Sequence, residues 1–311
     1  MDIYWIFIGY FWIFFNIFNL IFLFINNIEN KMILSKKKKN HKSINRKTIK
    51  KNIKKSTKST KSTKSTISIL SYNISWESMS GKVKKWSLCN NNTDKNNPKH
   101  FSVCVNNISN VFDTNDKLDF ITLQEATDYD KLIKESATLK NMKYEVYESG
   151  LDIIVTFWDA KKYKLQNKIT GEFEKGRPWM ATIFNDRLKQ KLCIINVHMG
   201  HYVKEEEFKM MEKMILDIKK KINTNKSNIR YIISGDFNYD IKEFGESRDY
   251  FTLDNTKFYY NKKHILTCCI NRLRHNDHVI DSLEKPIDIN IPEVAYMASD
   301  HKPILVKVNP F

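Results

Sequence analysis

From Ile67 onward, the chain repeats short runs of β-branched and aromatic residues that end at polar side chains. Seven of these runs are predicted strands, and they cover residues 67–72, 118–123, 151–157, 179–184, 192–197, 229–233 and 303–308. Each run has the length and composition of a buried strand, and polar stretches separate the runs. Strands that stop at hydrophilic groups place those groups at the rim of a sheet, where packed scaffolds keep their chemistry.

Helical periodicity is clearest over residues 204–222. There Phe208, Met211, Ile215 and Ile218 recur at three- and four-residue spacing, which predicts an amphipathic helix. A shorter helix is predicted around residues 128–140. Strands mixed with helices predict one α/β domain with packed sheets over residues 67–311. The Asn- and Lys-rich stretch 82–100 is interpreted as a surface insertion.

The amino-terminal residues have a different composition. An uncharged and strongly apolar run extends from Ile3 to Ile25. As a helix this run is roughly 34 Å long, enough to cross a hydrocarbon core of roughly 30 Å. A cleaved signal peptide fits less well, because no Lys or Arg precedes the run and no small-x-small site follows it. We therefore predict a transmembrane helix over about residues 3–25, within an anchor formed by residues 1–30.

The net charge of +17 is concentrated after this run. Residues 31–66 contain fifteen Lys or Arg and no acid, and they end in four Lys-Ser-Thr triplets. This segment is predicted to be a disordered polybasic tether, which contacts anionic lipid, holds nucleic acid non-specifically through phosphates, or serves as a spacer without a ligand. Because basic residues stay on the cytoplasmic side, the chain is predicted to be a single-pass membrane protein with the α/β domain 67–311 in the cytoplasm. The five cysteines are accordingly interpreted as reduced thiols.

The polar groups at the strand ends form a chemically coherent set. They are Asn73, Gln124-Glu125, His198, Asp236 with Asn238, and Asp300-His301. Each alone is explained by a turn or by the first turn of a helix. Together they indicate a metal-assisted hydrolase, because hard divalent cations prefer oxygen ligands and phosphoester cleavage needs an oriented water.

Roles follow from residue type. Glu125 is the predicted principal ligand of Mg²⁺, for which Mn²⁺ is a possible substitute, and Asn73 and Asp300 are predicted secondary ligands. His198 and His301 suit the binding of phosphate oxygens or the removal of a proton from water. Asp236 and Asn238 are two residues apart and could position this water or stabilise the phosphorus centre.

The order of these motifs resembles the endonuclease/exonuclease/phosphatase superfamily, which has the deoxyribonuclease-I-like fold. The resemblance covers residues 67–311 and rests on Tyr72-Asn73, Leu123-Gln124-Glu125, Asn196-Val197-His198, Gly235-Asp236-Phe237-Asn238, Asp277-His278-Val279-Ile280 and Ser299-Asp300-His301. It implies an α/β fold built as a four-layer α/β/β/α sandwich, preceded here by one transmembrane helix. It also implies Mg²⁺-dependent phosphoester cleavage.

The same resemblance implies a role for each matched residue. Glu125 would bind the metal with Asn73 beside it, His198 would contact phosphate, and Asp236 and Asn238 would act on the transition state. His301, next to Asp300, would be the catalytic histidine. Asp277 would orient it, with Asp281 as the competing candidate. Arg177 corresponds to an arginine that meets the substrate phosphate in many relatives.

Departures from specialised subfamilies leave the substrate open. Ala126-Thr127-Asp128 follows Glu125, where abasic-site endonucleases have Glu-Thr-Lys after the Gln, and the segment typical of inositol-polyphosphate phosphatases is missing. Nucleic acid and phospholipid or phosphoinositide therefore both remain as predicted substrates of a membrane-anchored phosphodiesterase, nuclease or phosphatase. The alternative is a catalytically silent, membrane-tethered module that binds phosphate or nucleic acid. No protein partner is predicted.

Overall fold

Two β-sheets carry most of the part of the chain that the structure describes. The computed structural model describes residues 66–76, 100–115, 117–201, 203–222, 229–245, 248–263, 265–269, 274–292 and 299–311. The predicted span 3–25, nearly all of the predicted tether 31–66 and nearly all of the insertion 82–100 lie outside these residues. Among the helices that are described, none combines the length and the apolar character needed to span a bilayer.

The described residues contain thirteen strands and five helices. The strands are β1 (Ile67–Asn73), β2 (Phe120–Gln124), β3 (Lys143–Ser149), β4 (Asp152–Trp158), β5 (Lys164–Glu174), β6 (Arg177–Asn185), β7 (Lys191–His198), β8 (Ile229–Asp236), β9 (Tyr250–Leu253), β10 (Thr256–Tyr259), β11 (Asp277–Asp281), β12 (Asp288–Asn290) and β13 (Ile304–Val308). The helices are α1 (His100–Asp113), α2 (Tyr129–Glu135), α3 (Ala137–Lys140), α4 (Lys204–Ile222) and α5 (Lys242–Gly245).

The described strands form two mixed sheets. The first has the order β12-β13-β1-β2-β4-β3, and the second has the order β5-β6-β7-β8-β11-β10-β9. One parallel pair lies near the middle of each sheet, β1 with β2 and β7 with β8. Helix α1 precedes β2 in the first pair, and α4 connects the strands of the second, as parallel neighbours require a crossover.

The alternation of side chains along each central strand defines the layers. Ile69 of β1 and Ile194 of β7 belong to one buried cluster between the sheets. Their neighbours point outward, Leu70 into the cluster that contains α1 and Ile195 into the cluster that contains α4. Because these strands are buried on both faces, they read as continuous apolar runs. The layer order is therefore helix, sheet, sheet, helix, as the fold prediction required.

All seven predicted strands are confirmed, as β1, β2, β4, β6, β7, β8 and β13, and α4 matches the predicted helix 204–222. The predicted helix around 128–140 is present as two short helices, α2 and α3. Six strands and the helices α1 and α5 were not predicted. The strand β5 shows why, because it lies at a sheet edge and most of its residues are exposed or half-buried. Such a strand depends on pairing with its neighbour and leaves a weak sequence pattern.

The interpretation of all five cysteines as reduced thiols is wrong for the described ones except Cys193. The structure joins Cys268 to Cys269 in a disulfide across a cis peptide bond, and Cys104 is also disulfide-bonded. Cys193 is a free thiol in the core. The adjacency of these two cysteines indicates against a bridge in the sequence, whereas the structure joins them.

A buried ion pair fixes β8 against β11 at the end remote from the polar strand termini. Arg230 Nε donates to Asp281 Oδ1 at 2.9 Å, and Arg230 Nη2 pairs with Asp281 Oδ2. Arg230 Nη1 also donates to the carbonyl oxygen of Asn309 at 2.7 Å. Both side chains are almost fully buried, so either one left without the other would be an uncompensated charge in the core.

We expect Asp281→Ala to lower the free energy of unfolding by about 3–5 kcal/mol, because it leaves Arg230 buried without its carboxylate. The matched control is Asp217→Ala, which breaks an exposed i,i+4 pair with Lys213 on α4 and is expected to cost less than about 1 kcal/mol. Urea denaturation monitored by circular dichroism measures both changes. Equal losses in the two variants would contradict the assignment of Asp281 to a structural pair.

Candidate active site

Strand register brings the polar strand ends to one edge of the molecule. Asn73 pairs with Gln124 at the end of β1 and β2, and His198 pairs with Asp236 at the end of β7 and β8. On the other side of β8, Asp277 of β11 is the register partner of Asp236. Asn73 Nδ2 donates to Asp236 Oδ2 at 2.9 Å, and this hydrogen bond joins the edges of the two sheets.

Two carboxylates meet at Asn73. Its Nδ2 also donates to Glu125 Oε1 at 3.1 Å, and its Oδ1 accepts from the backbone N–H of Ser75. The second oxygen of Glu125 accepts from the backbone N–H of Trp76 at 3.0 Å. Glu125 adopts a left-handed backbone conformation with φ of 53°, which is uncommon outside glycine and concentrates at functional sites.

Asp300 adds a third carboxylate near the same centre. Burial raises the pKa of Asp300, His301 opposes this rise, and the negative charges of Glu125 and Asp236 reinforce it. In the part of the chain that the structure describes, ligand atoms of Asp236, Asp277 and His301 lie within 4.8 Å of one another. This edge therefore has the acidic and imidazole groups that could bind a metal ion.

His301 lies between two carboxylates. Its Nδ1 is 2.9 Å from Asp277 Oδ2, and its Nε2 is 3.5 Å from Asp236 Oδ2. Burial lowers the pKa of His301, but the charges of Asp277 and Asp236 outweigh burial and raise this pKa well above its ordinary value. Asp281 contacts Arg230 instead, so Asp277 is the carboxylate that the structure places beside His301.

His198 has a carboxylate at one ring nitrogen and a guanidinium at the other. Nδ1 is 2.6 Å from Asp152 Oδ2, and Nε2 is 2.7 Å from Arg177 Nη1. Because a guanidinium only donates, this arrangement requires the lone pair of His198 on Nε2. Burial lowers the pKa of His198, whereas Asp152, Asp236 and Glu125 raise it above its ordinary value. Protonation of His198 would therefore break its contact with Arg177.

The turn after β8 presents Asn238. Its backbone N–H donates to Asp236 Oδ1 and its Nδ2 donates to the carbonyl oxygen of Met199, both at 2.8 Å. Asn238 is also left-handed, with φ of 54°. Gly235 precedes this turn with φ of 153°, and a Cβ there would lie 2.0 Å from the carbonyl oxygen of Val197. Only glycine allows β7 to approach β8 this closely.

A cavity of about 530 Å³ opens beside Glu125 and His198. Its wall includes Trp76, the cationic residues Lys175 and Arg177, and Leu151, which is 93% exposed. Cationic groups next to an aromatic face suit a phosphate ester that carries a planar or apolar group.

Solved structures share this architecture. An endonuclease/exonuclease/phosphatase from Bacteroides vulgatus superposes with a TM-score of 0.55 at 15% identity, covering 78% of this chain and 98% of its own. The human Nocturnin catalytic domain, solved with a bound sulfate anion, gives a TM-score of 0.52 at 14% identity, covering 78% of this chain and 92% of its own. ANGEL2, a 2′,3′-cyclic phosphatase, gives a TM-score of 0.55 at 13% identity, with coverages of 78% and 94%.

The chain has the endonuclease/exonuclease/phosphatase fold. The resemblance that the sequence motifs indicated is thereby confirmed at the level of the fold. An uncharacterized protein of Acanthamoeba polyphaga mimivirus is 30% identical over 255 residues, which cover 76% of this chain. The matched region spans only 49% of that relative's length. No protein-family model matches the chain.

Within this endonuclease/exonuclease/phosphatase fold, the structure gathers nine of the predicted site residues around Asp236 and the adjacent cavity. They are Asn73, Glu125, Arg177, His198, Asp236, Asn238, Asp277, Asp300 and His301. Of the candidates weighed, Asp281 alone lies elsewhere, in its pair with Arg230.

Sequence reasoning missed Asp152, Trp76 and Lys175. Asp152 begins β4 and does not end a strand, and its signal in the sequence is an acid that opens an apolar run. Trp76 is a helical residue shortly after β1, and Lys175 lies in the turn between β5 and β6, so both reach the site only because these two connecting segments meet there. A residue in a connecting segment of this kind has no periodicity that could reveal its position.

We expect Asp152→Asn to lower the pKa of His198 and Asp277→Asn to lower the pKa of His301. In each case the change removes a negative charge that favours the imidazolium. Titration of the histidine Cε1–H resonances by NMR measures both values. Each variant serves as the other's control, because each should shift its own partner more. An unchanged or raised pKa would contradict the pairing seen in the structure.

Proposed function

We propose that this chain is a divalent-metal-dependent phosphoester hydrolase in which a histidine activates the attacking water. One observation carries the proposal. Asn73 holds Glu125 and Asp236 together, and the same Asp236 lies within 3.7 Å of both imidazoles, His198 and His301. Oxygen donors, two imidazoles and a cationic cavity thus share one centre, which is what cleavage of a phosphate ester needs.

The donor set fits a hard cation. Glu125, Asp236 and Asp300 supply carboxylate oxygens, and burial, together with the negative charges of Glu125 and Asp236, raises the pKa of Asp300. Glu125 would hold Mg²⁺ or Mn²⁺, with Asp300 as a second donor and with Asn73 orienting Glu125 or adding its amide oxygen. When bound, such a cation polarises a phosphoryl oxygen and offsets the charge that develops on the phosphate.

His301 and Asp277 form the proton-handling pair of the proposed mechanism. Neutral His301 takes a proton from water at Nε2 as the water oxygen bonds to phosphorus and the ester oxygen leaves. Asp277, at 2.9 Å from Nδ1, holds the ring in place and stabilises the imidazolium that forms. Burial lowers the pKa of His301, but Asp277 and Asp236 outweigh burial and raise this pKa, so the histidine is a stronger base than an ordinary imidazole.

Phosphate binding is assigned to the opposite side of the centre. Arg177 is held by His198 and faces the cavity together with Lys175, so two cations are available to phosphate oxygens. Asn238, fixed by its bonds to Asp236 and Met199, is assigned to the transition state. Trp76 offers a flat apolar surface for the group attached to the phosphate.

The substrate class is proposed only as a phosphoester. One fold supports many chemistries, and the structural neighbours carry the names of proteins with different activities. Nucleic acid and phospholipid or phosphoinositide both place a phosphate beside a bulky group, as the cavity requires. A panel of single- and double-stranded DNA, RNA, sphingomyelin and phosphoinositides separates these classes.

We expect Glu125→Gln and His301→Asn each to reduce turnover by roughly 10²–10⁴-fold, because one removes a metal-ligand charge and the other removes the base. The assay uses the full-length chain in detergent, the substrate panel and bis-p-nitrophenyl phosphate, with Mg²⁺ or Mn²⁺. Glu135→Gln is the matched control, because Glu135 is an exposed carboxylate at the end of α2. Thermal melting checks that each variant is folded.

If the wild-type chain binds these substrates but cleaves none of them with either metal, the alternative of a silent binding module is correct. Retained turnover in either site variant would refute that residue's role and leave the hydrolase assignment intact.

We also propose that residues 3–25 anchor the enzyme in a membrane and that the basic segment 31–66 contacts anionic headgroups. The support is the uncharged apolar run and the lysines that follow it. In sealed vesicles that expose the cytoplasmic face, we expect added protease to digest the domain and leave a short membrane-protected fragment. Protection of the domain would reverse the proposed orientation, and release of the intact chain by carbonate would refute the anchor.

A further inference from the structure

A second group of metal-ligating side chains lies behind the turn that carries Asn238. It consists of Asp240, His275 and His278, and it is called here the Asp–His–His cluster. One ligand atom from each residue lies within 4.8 Å of the others. The two histidines are at most 5% exposed, and their ring centroids are 4.3 Å apart. The cluster shares no residue with the centre around Asp236.

The hydrogen bonds of His278 determine which of its two ring nitrogens carries the proton and which carries the lone pair. Its Nε2 is 3.0 Å from the carbonyl oxygen of Tyr239 and 2.9 Å from that of His275. Carbonyl oxygens only accept, so Nε2 carries the proton and the lone pair is on Nδ1. A histidine whose second nitrogen donates to a backbone carbonyl is the usual arrangement of a metal ligand, because this bond fixes the tautomer and the ring orientation.

The spacing of the other two side chains also fits a coordinated ion. His275 Nδ1 is 3.3 Å from Asp240 Oδ1, long for a charge-assisted hydrogen bond. Two ligands of a tetrahedral ion at about 2.0 Å are separated by roughly 3.3 Å. A zinc ion could therefore replace the proton that now lies between these two atoms, with small adjustments of the side chains.

We propose that Asp240, His275 and His278 form a zinc site that is separate from the catalytic centre. Two imidazoles and one carboxylate favour Zn²⁺ over Mg²⁺, which prefers oxygen ligands alone. The ion joins the segment after β8 to the segment before and within β11. Asn238 lies two residues from Asp240, and Asp277 lies between the two histidines in sequence. Zinc at this position holds Asn238 and Asp277 at their places in the active centre.

The test is zinc binding by the full-length chain in detergent, after removal of metals with a chelator. Zn²⁺ alone is titrated against a chromophoric competitor in the presence of millimolar Mg²⁺. We expect one tightly bound equivalent and a rise in melting temperature. Asp240→Asn and His275→Gln should each lose this equivalent and the rise. Asp288→Asn, which changes an exposed carboxylate on β12, should keep both.

Glu125→Gln should also retain the equivalent, because Glu125 belongs to the other centre. None of these readouts needs turnover, so the result is independent of the proposed hydrolase. Absence of a tight equivalent in the wild-type chain would overturn the proposal whether or not the variants fold. Equal binding by wild type, Asp240→Asn and His275→Gln would also overturn it, since the ion would then be bound elsewhere. Loss of zinc from Glu125→Gln alone would place the ion in the catalytic centre and refute a separate site.

Discussion

The hydrogen bond from Asn73 to Asp236 connects the two sheets at the edge where the chemistry is proposed. Asn73 ends a strand of the first sheet, and Asp236 ends a strand of the second. Asp236 in turn accepts from the backbone of Asn238 and approaches both imidazoles. A change in the packing of one sheet on the other would separate Glu125 from these groups. The packing of the two sheets on one another therefore determines the geometry of the site.

A polar network beneath this edge also holds the two sheets in this packing. Gln124 Nε2 donates to Asn196 Oδ1 at 2.8 Å, and Asn196 Nδ2 donates to the carbonyl oxygens of Leu123 and Val155, both at 3.0 Å. Both side chains are fully buried between the sheets. An apolar interface would allow the sheets to slide, whereas buried hydrogen bonds have a narrow range of geometry and leave unsatisfied groups if they shift. This network therefore sets the register in which the two edges that carry the candidate site residues meet.

How much could be predicted from sequence depended on where each residue lies in a strand. Asn73, His198 and Asp236 are the last residues of buried strands, so the point at which each apolar run stops located them without any knowledge of the topology. Asp277 could be proposed only by resemblance, because β11 has a short and ambiguous pattern. Asp152 and Trp76 escaped entirely. Their positions follow from which strands are neighbours and from loop paths, and these are properties of the whole packed chain.

The backbone conformation of two site residues also depends on the packing of the whole chain. Glu125 and Asn238 are both left-handed, a conformation that costs non-glycine residues on the order of 1–3 kcal/mol and persists only where surrounding contacts enforce it. For Asn238 the enforcing contact is Phe237, which is fully buried and packs edge-on against His278 at 5.4 Å. Because this ring is buried, the chain turns immediately after it. Asp236 and Asn238 therefore both face the centre, one on each side of the buried Phe237. The packing of Phe237 against His278 therefore helps to orient the proposed catalytic residues, although His278 itself contacts none of the reacting groups.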